Sequence, residues 1–558
     1  MSDISTTKKM MRAKYSRNRQ ISGDFDKRLA VTCHNGIFVG KKDGDVISYK
    51  GIPFAKPPVG ERRWKAPEEM GLDGNVYQAF YFGPSPIQSE IASERASLYV
   101  QSEDCLYLNI WLNRLCNDEK KPVLVFIHGG SYGWGGTSDP LYEGTNLIRK
   151  FDDVILVTIA YRTGLMGFMD FSFVKGGEEF ADSCNLGLLD QIAALKWIKR
   201  NIAEFGGDPD NITIAGESAG AGSVSLLPLI PQAKGLFNKV IAESGSVALT
   251  YSRDEVHDLT VKFMNDAGAK SMKDLMRLSE DKLKKLNAPL NEYNNFPLRD
   301  GRILPEDLYK AYEEGAGKDI PMLMGTNADE ARYWISEVGG IAAYTVSIPI
   351  MFENNMKRVS AQDLEIINAF LDRQFGRPVW KYTQFYNEIM FRIPMLAQAD
   401  AHANCGGDTY IYYWDYPSAI ANMGACHAVE LAYVFNNLTE TIYTGDDVNV
   451  ELADEIQNMW INFVRCGNPS TDKYTWPKYE SGSRTSMVLA SDIVPEKDLM
   501  GEDREALMPI LKYNFNGCYA NLDLRVPAFY KTILQVLAVI GGIAALIGGI
   551  FSIFKKDK

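Results

Sequence analysis

The chain is poor in the residues that dedicated metal and redox sites require. Its 558 residues include five histidines and eight cysteines, and no two cysteines form a Cys-x-x-Cys pair. A structural zinc site or a dithiol redox centre is therefore not expected. The scattered cysteines are more typical of reduced core thiols in a reducing compartment. Neither a metal nor an organic cofactor is predicted.

Basic residues are fewer than acidic ones. Lys and Arg number 59 against 71 Asp and Glu, which gives a formal net charge of -12. Because proteins that bind nucleic acids need a basic surface, this balance argues against a nucleic-acid partner. No internal repeat or low-complexity tract is apparent, so the chain reads as an ordinary folded protein with one large domain over residues 31–525.

The N-terminal segment lacks the apolar stretch of a secretory signal peptide. It is polar and carries several Lys and Arg, so residues 1–30 are interpreted as a basic, solvated leader. Attraction of this leader to anionic lipid is the alternative interpretation.

The other end of the chain has a long hydrophobic run. Residues 532–554 include no charged side chain, and a helix of about 23 residues at ~1.5 Å per residue is long enough to cross a bilayer. We therefore expect a transmembrane helix over residues 532–554 with a basic end at 555–558. Gly541, Ala545 and Gly549 recur at intervals suited to helix pairing, which predicts a homodimer through this segment.

Two features of the sequence predict opposite topologies for this anchor. A C-terminal span without a signal peptide predicts that the large domain faces the cytoplasm. The closing Lys-Lys-Asp-Lys, however, resembles an endoplasmic reticulum retrieval signal that requires a cytosolic end. These interpretations conflict, and positive charge near both ends does not decide between them.

The main domain shows an alternation of apolar runs and helical stretches. Continuous apolar runs are typical of strands buried on both faces, and a sheet whose strands alternate with helices is mostly parallel and helix-covered. Residues 47–54 predict an edge strand. Helical, irregular stretches near 250–300 and 335–405 predict a cap over a site at the carboxyl ends of the strands. The predicted central strands lie at 123–127, 154–160, 212–215, 239–242, 321–324 and 409–414, and a helix is predicted over 187–205.

The most informative motif follows the strand at 212–215. Gly-Glu-Ser-Ala-Gly at residues 216–220 fits the G-x-S-x-G nucleophile elbow, a sharp turn between a strand and a helix with Ser218 at its tip. The turn needs small residues two positions before and after the serine. The helix that follows directs its N-terminal N–H groups towards the serine oxygen.

A serine hydroxyl becomes a useful nucleophile only when a base removes its proton. In α/β hydrolases this base comes late in the chain, after a strand, and His427 follows the strand at 409–414. His128, at the end of the strand at 123–127, opens a glycine-rich loop instead. The remaining histidines are interpreted as structural: His34, His257 and His402.

Two further parts of such a site are predicted from loops. The acid that orients the base is expected between serine and histidine, and spacing alone leaves Asp329 and Glu330 as alternatives. The loop His-Gly-Gly-Ser at 128–131 resembles the HGGG-type oxyanion loop. We expect backbone N–H groups of Gly130, Ser131 and Ala219 to bind the oxyanion.

Taken together, these segments resemble the type-B carboxylesterase/lipase family, which includes carboxylesterases, cholinesterases and neuroligins. The resemblance covers about residues 36–515 and implies an α/β-hydrolase fold with helical cap insertions. In the family's acid segment the final glutamate is the triad member, which selects Glu330, and the histidine segment supports His427. The resemblance is carried by residues 51–58, 103–111, 205–220, 325–330 and 424–431.

The chain departs from the family pattern in three places. Extracellular members pair the cysteine matching Cys105 with one in the preceding loop, which here has none, so that disulfide is not expected. The tryptophan with which cholinesterases hold a quaternary ammonium is absent from 92–101, which disfavours acetylcholine. Ser131 replaces a Gly or Ala, but its backbone N–H remains.

The sequence therefore predicts a serine hydrolase that cleaves carboxylic esters through an acyl-enzyme intermediate, with Ser218, His427 and Glu330 as the triad and a small-molecule ester of unspecified acyl chain as substrate. One alternative is a catalytically silent, neuroligin-like adhesion protein. That alternative conflicts with the retained triad and the absence of a signal peptide. The other is a lipase acting on long acyl chains, for which a membrane anchor would be convenient.

Overall fold

A twisted sheet of eleven strands forms the centre of the part of the chain that the structure describes. The computed structural model describes residues 17–88, 99–113, 120–287 and 296–516. The strands are β1 (Ala30–Cys33), β2 (Asn35–Val39), β3 (Lys41–Asp43), β4 (Val46–Pro53), β5 (Asp73–Gln78), β6 (Tyr107–Asn113), β7 (Lys121–Ile127), β8 (Ile155–Ile159), β9 (Gly207–Glu217), β10 (Lys239–Glu243), β11 (Met322–Asn327), β12 (Thr409–Trp414), β13 (Thr485–Leu489) and β14 (Ile493–Lys497).

The strand order in the large sheet is β14-β13-β12-β11-β10-β9-β7-β8-β6-β4-β3, and β1, β2 and β5 form a small separate sheet. The strands from β8 to β13 pair in parallel, and antiparallel strands flank them on both sides. The predicted α/β fold with a mostly parallel sheet is confirmed. The strand at residues 47–54 was expected at the edge, which is wrong: β4 lies between β6 and β3, because residues 41–43 fold back on it as a hairpin.

The continuous apolar runs are explained by burial on both faces of the sheet. In β7, Val123 and Val125 pack in one hydrophobic core, whereas Leu124 and Phe126 pack in the core on the opposite face. Successive side chains of a strand point to opposite faces, so both faces of β7 lie in an apolar core and its residues 123–126 are all apolar. Because β7, β9, β10, β11 and β12 run parallel, the carboxyl ends of β7, β9, β11 and β12 meet at one edge of the sheet.

Helices cover both faces and fill the two regions for which the sequence predicts a cap. The expected helix at 187–205 is a helix followed by a 3₁₀ turn, Ile202–Phe205. The helices are Thr145–Lys150, Gly164–Gly167, Leu186–Asn201, Ala219–Leu226, Arg253–Ala267, Met272–Leu275, Glu280–Leu286, Leu308–Glu313, Trp334–Glu337, Ile341–Met356, Ala361–Arg373, Pro378–Tyr386, Ile393–Asn404, Leu431–Val434, Val450–Cys466 and Gly501–Leu507.

The two chain ends are described only in part. Residues 1–16 of the predicted leader and the predicted transmembrane segment at 532–554, with its pairing face, lie outside the described residues. Within the leader, Asn18 already belongs to the domain, because its amide donates to the carbonyls of Lys50 (2.7 Å) and Tyr81 (3.0 Å). Among the described helices, none alone has the length and apolar character to cross a membrane. One pair, Glu330–Glu337 and Ile341–Met356, passes that test jointly but is bent by 117°.

Candidate active site

Ser218 stands at the sharp turn that the motif predicts. β9 ends at Glu217, and the helix Ala219–Leu226 begins directly after the serine. Ser218 has φ 58° and ψ -121°, a backbone conformation that non-glycine residues rarely adopt. Neighbouring hydrogen bonds hold it: Ser218 N–H donates to Glu243 O (2.8 Å), and Gly222 N–H donates to Ser218 O (2.9 Å).

The two glycines of the motif are required by close packing. A Cβ built on Gly216 would lie 2.4 Å from the carbonyl carbon of Gly220. A Cβ built on Gly220 would lie 2.0 Å from the carbonyl oxygen of Ile127, the last residue of β7. Real Cβ atoms do not approach so closely, so any larger side chain would push the turn away from β7.

His427 and Glu330 meet at the same edge of the sheet. His427 lies in the loop after β12, and Glu330 opens the 3₁₀ turn after β11. His427 Nδ1 lies 2.6 Å from Glu330 Oε2, and both side chains are buried. The other oxygen of Glu330 accepts from the N–H of Asn327 (2.8 Å), so the carboxylate is held on both sides.

The structure separates the two carboxylates that spacing could not distinguish. Asp329 turns away from the imidazole, pairs with Arg332 at 2.9 Å and accepts from the N–H of Ala425 at 3.1 Å. Only Glu330, of these two, contacts His427.

Glu217, which sequence reasoning missed, faces the second nitrogen of His427. Its Oε1 lies 3.0 Å from His427 Nε2, and both side chains are 7% exposed. Within the described ranges the hydroxyl of Ser218 makes no hydrogen bond to the protein, so the Ser218–His427 bond that the predicted chemistry needs is not formed here. Such bonds are often loose before substrate binds. The signal for Glu217 was its place beside Ser218 in the motif.

The buried carboxylates of Glu217, Glu330 and Glu430 act on the charge of the imidazole, and Glu243 acts in turn on Glu217 and Glu430. Burial lowers the pKa of His427, but the Glu217 and Glu330 carboxylates outweigh it and raise that pKa to about 9. Burial raises the pKa of Glu217 to about 7 and, helped by neighbouring carboxylates, that of Glu430 to about 8. Burial also holds the pKa of Glu243 well above its ordinary value.

These acids have few polar partners. Glu430 accepts from the amide of Asn327 (2.6 Å), and Glu243 accepts from the indole of Trp460 (3.3 Å). One oxygen of each remains without a hydrogen-bond donor among the described residues. Sequence reasoning gave no sign of this cluster, because its members come from a strand end, an elbow and a late loop.

The glycine-rich loop after β7 packs directly on the elbow. A Cβ built on Gly129 would lie 2.8 Å from Glu217 Oε2 and 3.0 Å from the Cβ of Ser218. Gly130 has φ 104° and Ser131 has φ 51°, so the backbone turns sharply there. In the described part of the chain, the N–H groups of Gly130, Ser131 and Ala219 donate to no protein acceptor. All three predicted donors are thus free to bind an oxyanion.

Two of the other histidines, His128 and His402, have structural surroundings. The ring of His128 stacks on Tyr161 at 4.5 Å, and burial lowers its pKa to about 4. His402 contacts Thr409 and Gly317 through its two ring nitrogens. No group of His, Cys, Asp or Glu within the described ranges is arranged to hold a metal ion. Cys105 is a buried free thiol.

Aromatic side chains enclose the imidazole. The rings of Tyr333 and Phe391 lie 5.3 and 5.0 Å from that of His427. Phe391 belongs to the second region predicted as a cap, which therefore reaches the site. These two rings give the imidazole apolar neighbours on the side of the cap.

Comparison with known proteins identifies the family of the chain. The model of the carboxylesterase family matches residues 27–504. The chain is 35% identical over 513 residues to the para-nitrobenzyl esterase of Bacillus subtilis (strain 168), covering 86% of this chain and 98% of that protein. It is 30% identical to the fumonisin B1 esterase of Sphingopyxis macrogoltabida, covering 82% and 85%. A solved carboxylesterase of Geobacillus stearothermophilus superposes with a TM-score of 0.77 at 34% identity, covering 86% of this chain and 100% of that one. The chain therefore belongs to the carboxylesterase family and is a carboxylic ester hydrolase.

Proposed function

We propose that the protein hydrolyses carboxylic esters through an acyl-enzyme formed on Ser218, with His427 as base and Glu330 as its orienting acid. The observation that carries the proposal is the position of the imidazole. It is bonded to Glu330 at 2.6 Å on one side and touches the residue next to Ser218 on the other. The proposal requires that the Ser218 hydroxyl replace Glu217 as the partner of Nε2 when substrate binds.

In the proposed reaction the Ser218 oxygen attacks the ester carbonyl while His427 Nε2 takes its proton. The resulting oxyanion is bound by the free N–H groups of Gly130, Ser131 and Ala219. His427 then protonates the leaving alkoxide, and the alcohol departs. Water, deprotonated by the same nitrogen, attacks the acyl-enzyme, and the acid is released with the serine restored.

The test is the Ser218→Ala variant with a p-nitrophenyl ester of a short acid. Turnover should fall by roughly 10⁴-fold or more, and labelling by a fluorophosphonate should be lost, with an unchanged circular dichroism spectrum. Ser481→Ala is the matched control, because this serine lies on the surface and bonds only Asn404. Retained turnover in Ser218→Ala would refute Ser218 as nucleophile.

The relatives found are esterases, so the adhesion-protein alternative is not favoured. The lipase alternative differs only in acyl-chain length. We propose small esters as substrates, because the rings of Tyr333 and Phe391 pack against the imidazole and limit the room beside it. A series of p-nitrophenyl esters from two to sixteen carbons tests this proposal, and a kcat/KM that keeps rising to the longest chain would overturn it.

We also propose that residues 532–554 anchor the enzyme in a membrane, with the large domain on the cytoplasmic side. The support is their uncharged composition and length. The enzyme should remain in the pellet after alkaline carbonate extraction of cell membranes, and a chain ending at residue 525 should not. In sealed vesicles, protease should digest the large domain. Bulky substitutions at Gly541, Ala545 and Gly549 should abolish crosslinked dimers.

A further inference from the structure

Asn327, the last residue of β11, lies beside the catalytic groups, and the proposed mechanism gives its side chain no role. Its backbone N–H donates to Glu330 Oε1 (2.8 Å). Its side-chain nitrogen donates to the carbonyl oxygen of Cys426 (2.9 Å) and to Glu430 Oε2 (2.6 Å). Cys426 directly precedes His427, and Glu430 follows it by three residues. One residue therefore contacts the acid and the chain on both sides of the base.

The acceptors of this amide fix its orientation. A backbone carbonyl oxygen can only accept, so the atom that faces Cys426 is the amide nitrogen. That nitrogen has two hydrogens, and the two bonds use both of them. Asn327 is 2% exposed, so solvent does not compete for either bond. Removing the amide would take a donor from Glu430, whose other oxygen already has none among the described residues.

The segment that carries His427, residues 425–430, contains a strained turn. Ala428 has φ 65°, in the left-handed region that residues with a Cβ rarely adopt. Such a conformation persists only where the surrounding structure holds it. The turn's own hydrogen bond, from Val429 N–H to Cys426 O, is 3.2 Å long. The Asn327 amide contacts the chain before and after this turn, so it closes the turn from outside.

Backbone hydrogen bonds also join this segment to the chain around the acid. Asp329 N–H donates to Ala425 O (2.9 Å), and His427 N–H donates to Glu330 O (3.3 Å). Both bonds hold the segment only up to the base itself, whereas the Asn327 amide also reaches the part that follows. Because the backbone bonds remain when the amide is removed, we expect the fold to persist while the imidazole loses its fixed direction.

The bond from Asn327 also affects the charge near the base. Burial and the neighbouring carboxylates raise the pKa of Glu430, whereas the Asn327 amide lowers it. The Glu430 carboxylate in turn raises the pKa of His427, together with the carboxylates that contact the ring. The other titratable groups that interact with Glu430 are Glu217, Glu243, Glu330, Tyr412 and Cys426.

We propose that Asn327 is a positioning residue for ester hydrolysis. Its side-chain amide holds the segment 425–430 so that His427 Nδ1 stays bonded to Glu330 and Nε2 faces the elbow. The inference rests on the proposed function, because it concerns the placement of the base in that mechanism.

The test compares Asn327→Leu and Asn327→Asp in the full-length protein. Leucine has no donor, and aspartate has nearly the shape of asparagine but cannot donate both hydrogen bonds in either protonation state. With p-nitrophenyl acetate, kcat should fall about tenfold to a hundredfold in both variants, with KM within about threefold. If one variant fails to fold, the other remains.

Asn35→Ala is the matched control. Asn35 is also buried and bonds through its side chain, to Pro53 O (2.8 Å) and the indole of Trp197 (2.9 Å), but it lies in the small sheet. This variant should lower the melting temperature and leave kcat unchanged.

Two readouts report on the imidazole itself. The far-downfield proton resonance of the bond between His427 Nδ1 and Glu330 should broaden or disappear in both Asn327 variants and remain in Asn35→Ala. In Asn327→Leu, the rising limb of kcat/KM should move to lower pH. The reason is that Glu430 without its donor stays protonated to higher pH and no longer favours the charged imidazole.

A kcat within threefold of the parent in both Asn327 variants, an equal loss in Asn35→Ala, or an unchanged resonance would overturn the proposal. These outcomes differ from a failure of the proposed function. Retained turnover in His427→Ala would refute the base, whereas the resonance would still show whether Asn327 holds the imidazole.

Discussion

The contact between Glu217 and His427 predicts how the rate depends on pH. A base must be neutral to accept a proton, and the two carboxylates that flank His427 raise its pKa to about 9. For a neutral ester, kcat/KM should therefore rise with pH along a limb with an apparent pKa near 9, because this profile reports the free enzyme. Glu217→Gln removes the carboxylate charge that faces His427 Nε2 and should therefore move this limb of the pH profile to lower pH.

The size of the change follows from the distance. Two unit charges 3.0 Å apart attract by roughly 5 kcal/mol at an effective dielectric constant of about 20, equivalent to roughly four pH units. The substitution leaves a buried amide in place of the carboxylate and Glu330 still in contact, so we expect about one to three pH units. At pH 7 the variant should therefore reach a larger fraction of its own maximal kcat/KM than the parent enzyme does.

The assay is stopped-flow hydrolysis of p-nitrophenyl acetate between pH 5 and 10, with the pKa of the limb fitted from kcat/KM. Glu306→Gln serves as the matched control, because Glu306 is exposed, lies beside Gly301 and is not among the groups that shift the pKa of His427. Its limb should not move. A limb that stays near pH 9 in Glu217→Gln would show that Glu217 does not control the charge of His427.

Three other outcomes are expected. Gly220→Ala should give a destabilised or insoluble protein, measured by thermal unfolding and yield, since its Cβ would lie 2.0 Å from Ile127 O; a normal melting temperature would contradict the packing argument. Ser131→Ala should keep kcat within about threefold, because the proposed mechanism uses only the backbone N–H of Ser131, and a loss of about a hundredfold would point to the hydroxyl instead. Raising the pH from 6 to 9 should lower the free energy of unfolding in urea by several kcal/mol, and a flat profile would contradict the raised pKa values of the buried acids.

The elements that the sequence predicts well are those set by local pattern. The apolar runs mark β7 and β9 because both faces of these strands are buried, and the glycines at 216 and 220 mark the elbow because backbone contacts exclude any Cβ there. The prediction that β4 lies at the edge of the sheet was wrong. Its sequence shows that a proline-rich turn follows, but not that the short strand β3 pairs with its free side.

The charge environment of the base could not be read from the sequence. Glutamate is a surface residue in most contexts, so nothing local distinguishes Glu243 or Glu430 from an exposed acid. Glu430 acts on His427, and Glu243 acts on Glu217 and Glu430, only because the fold brings the carboxyl ends of the parallel strands to one edge. Asp329 and Glu330 could not be distinguished from the sequence for the same reason. They are adjacent, and only the folded loop shows that Glu330 faces the imidazole while Asp329 pairs with Arg332.

The buried acids link the stability of the fold to the protonation state of His427. Glu217 and Glu430 have pKa values raised to about 7 and about 8, and His427 one raised to about 9, so between pH 6 and 9 the folded protein holds more protons than the unfolded chain. Stability then falls as the pH rises, by about 1.4 kcal/mol per proton for each pH unit. The proposed catalysis requires loss of the His427 proton, which is one of the protons that stabilise the fold. Glu430→Gln removes one titrating group and should therefore flatten the stability profile, while the carboxylates that touch the imidazole remain.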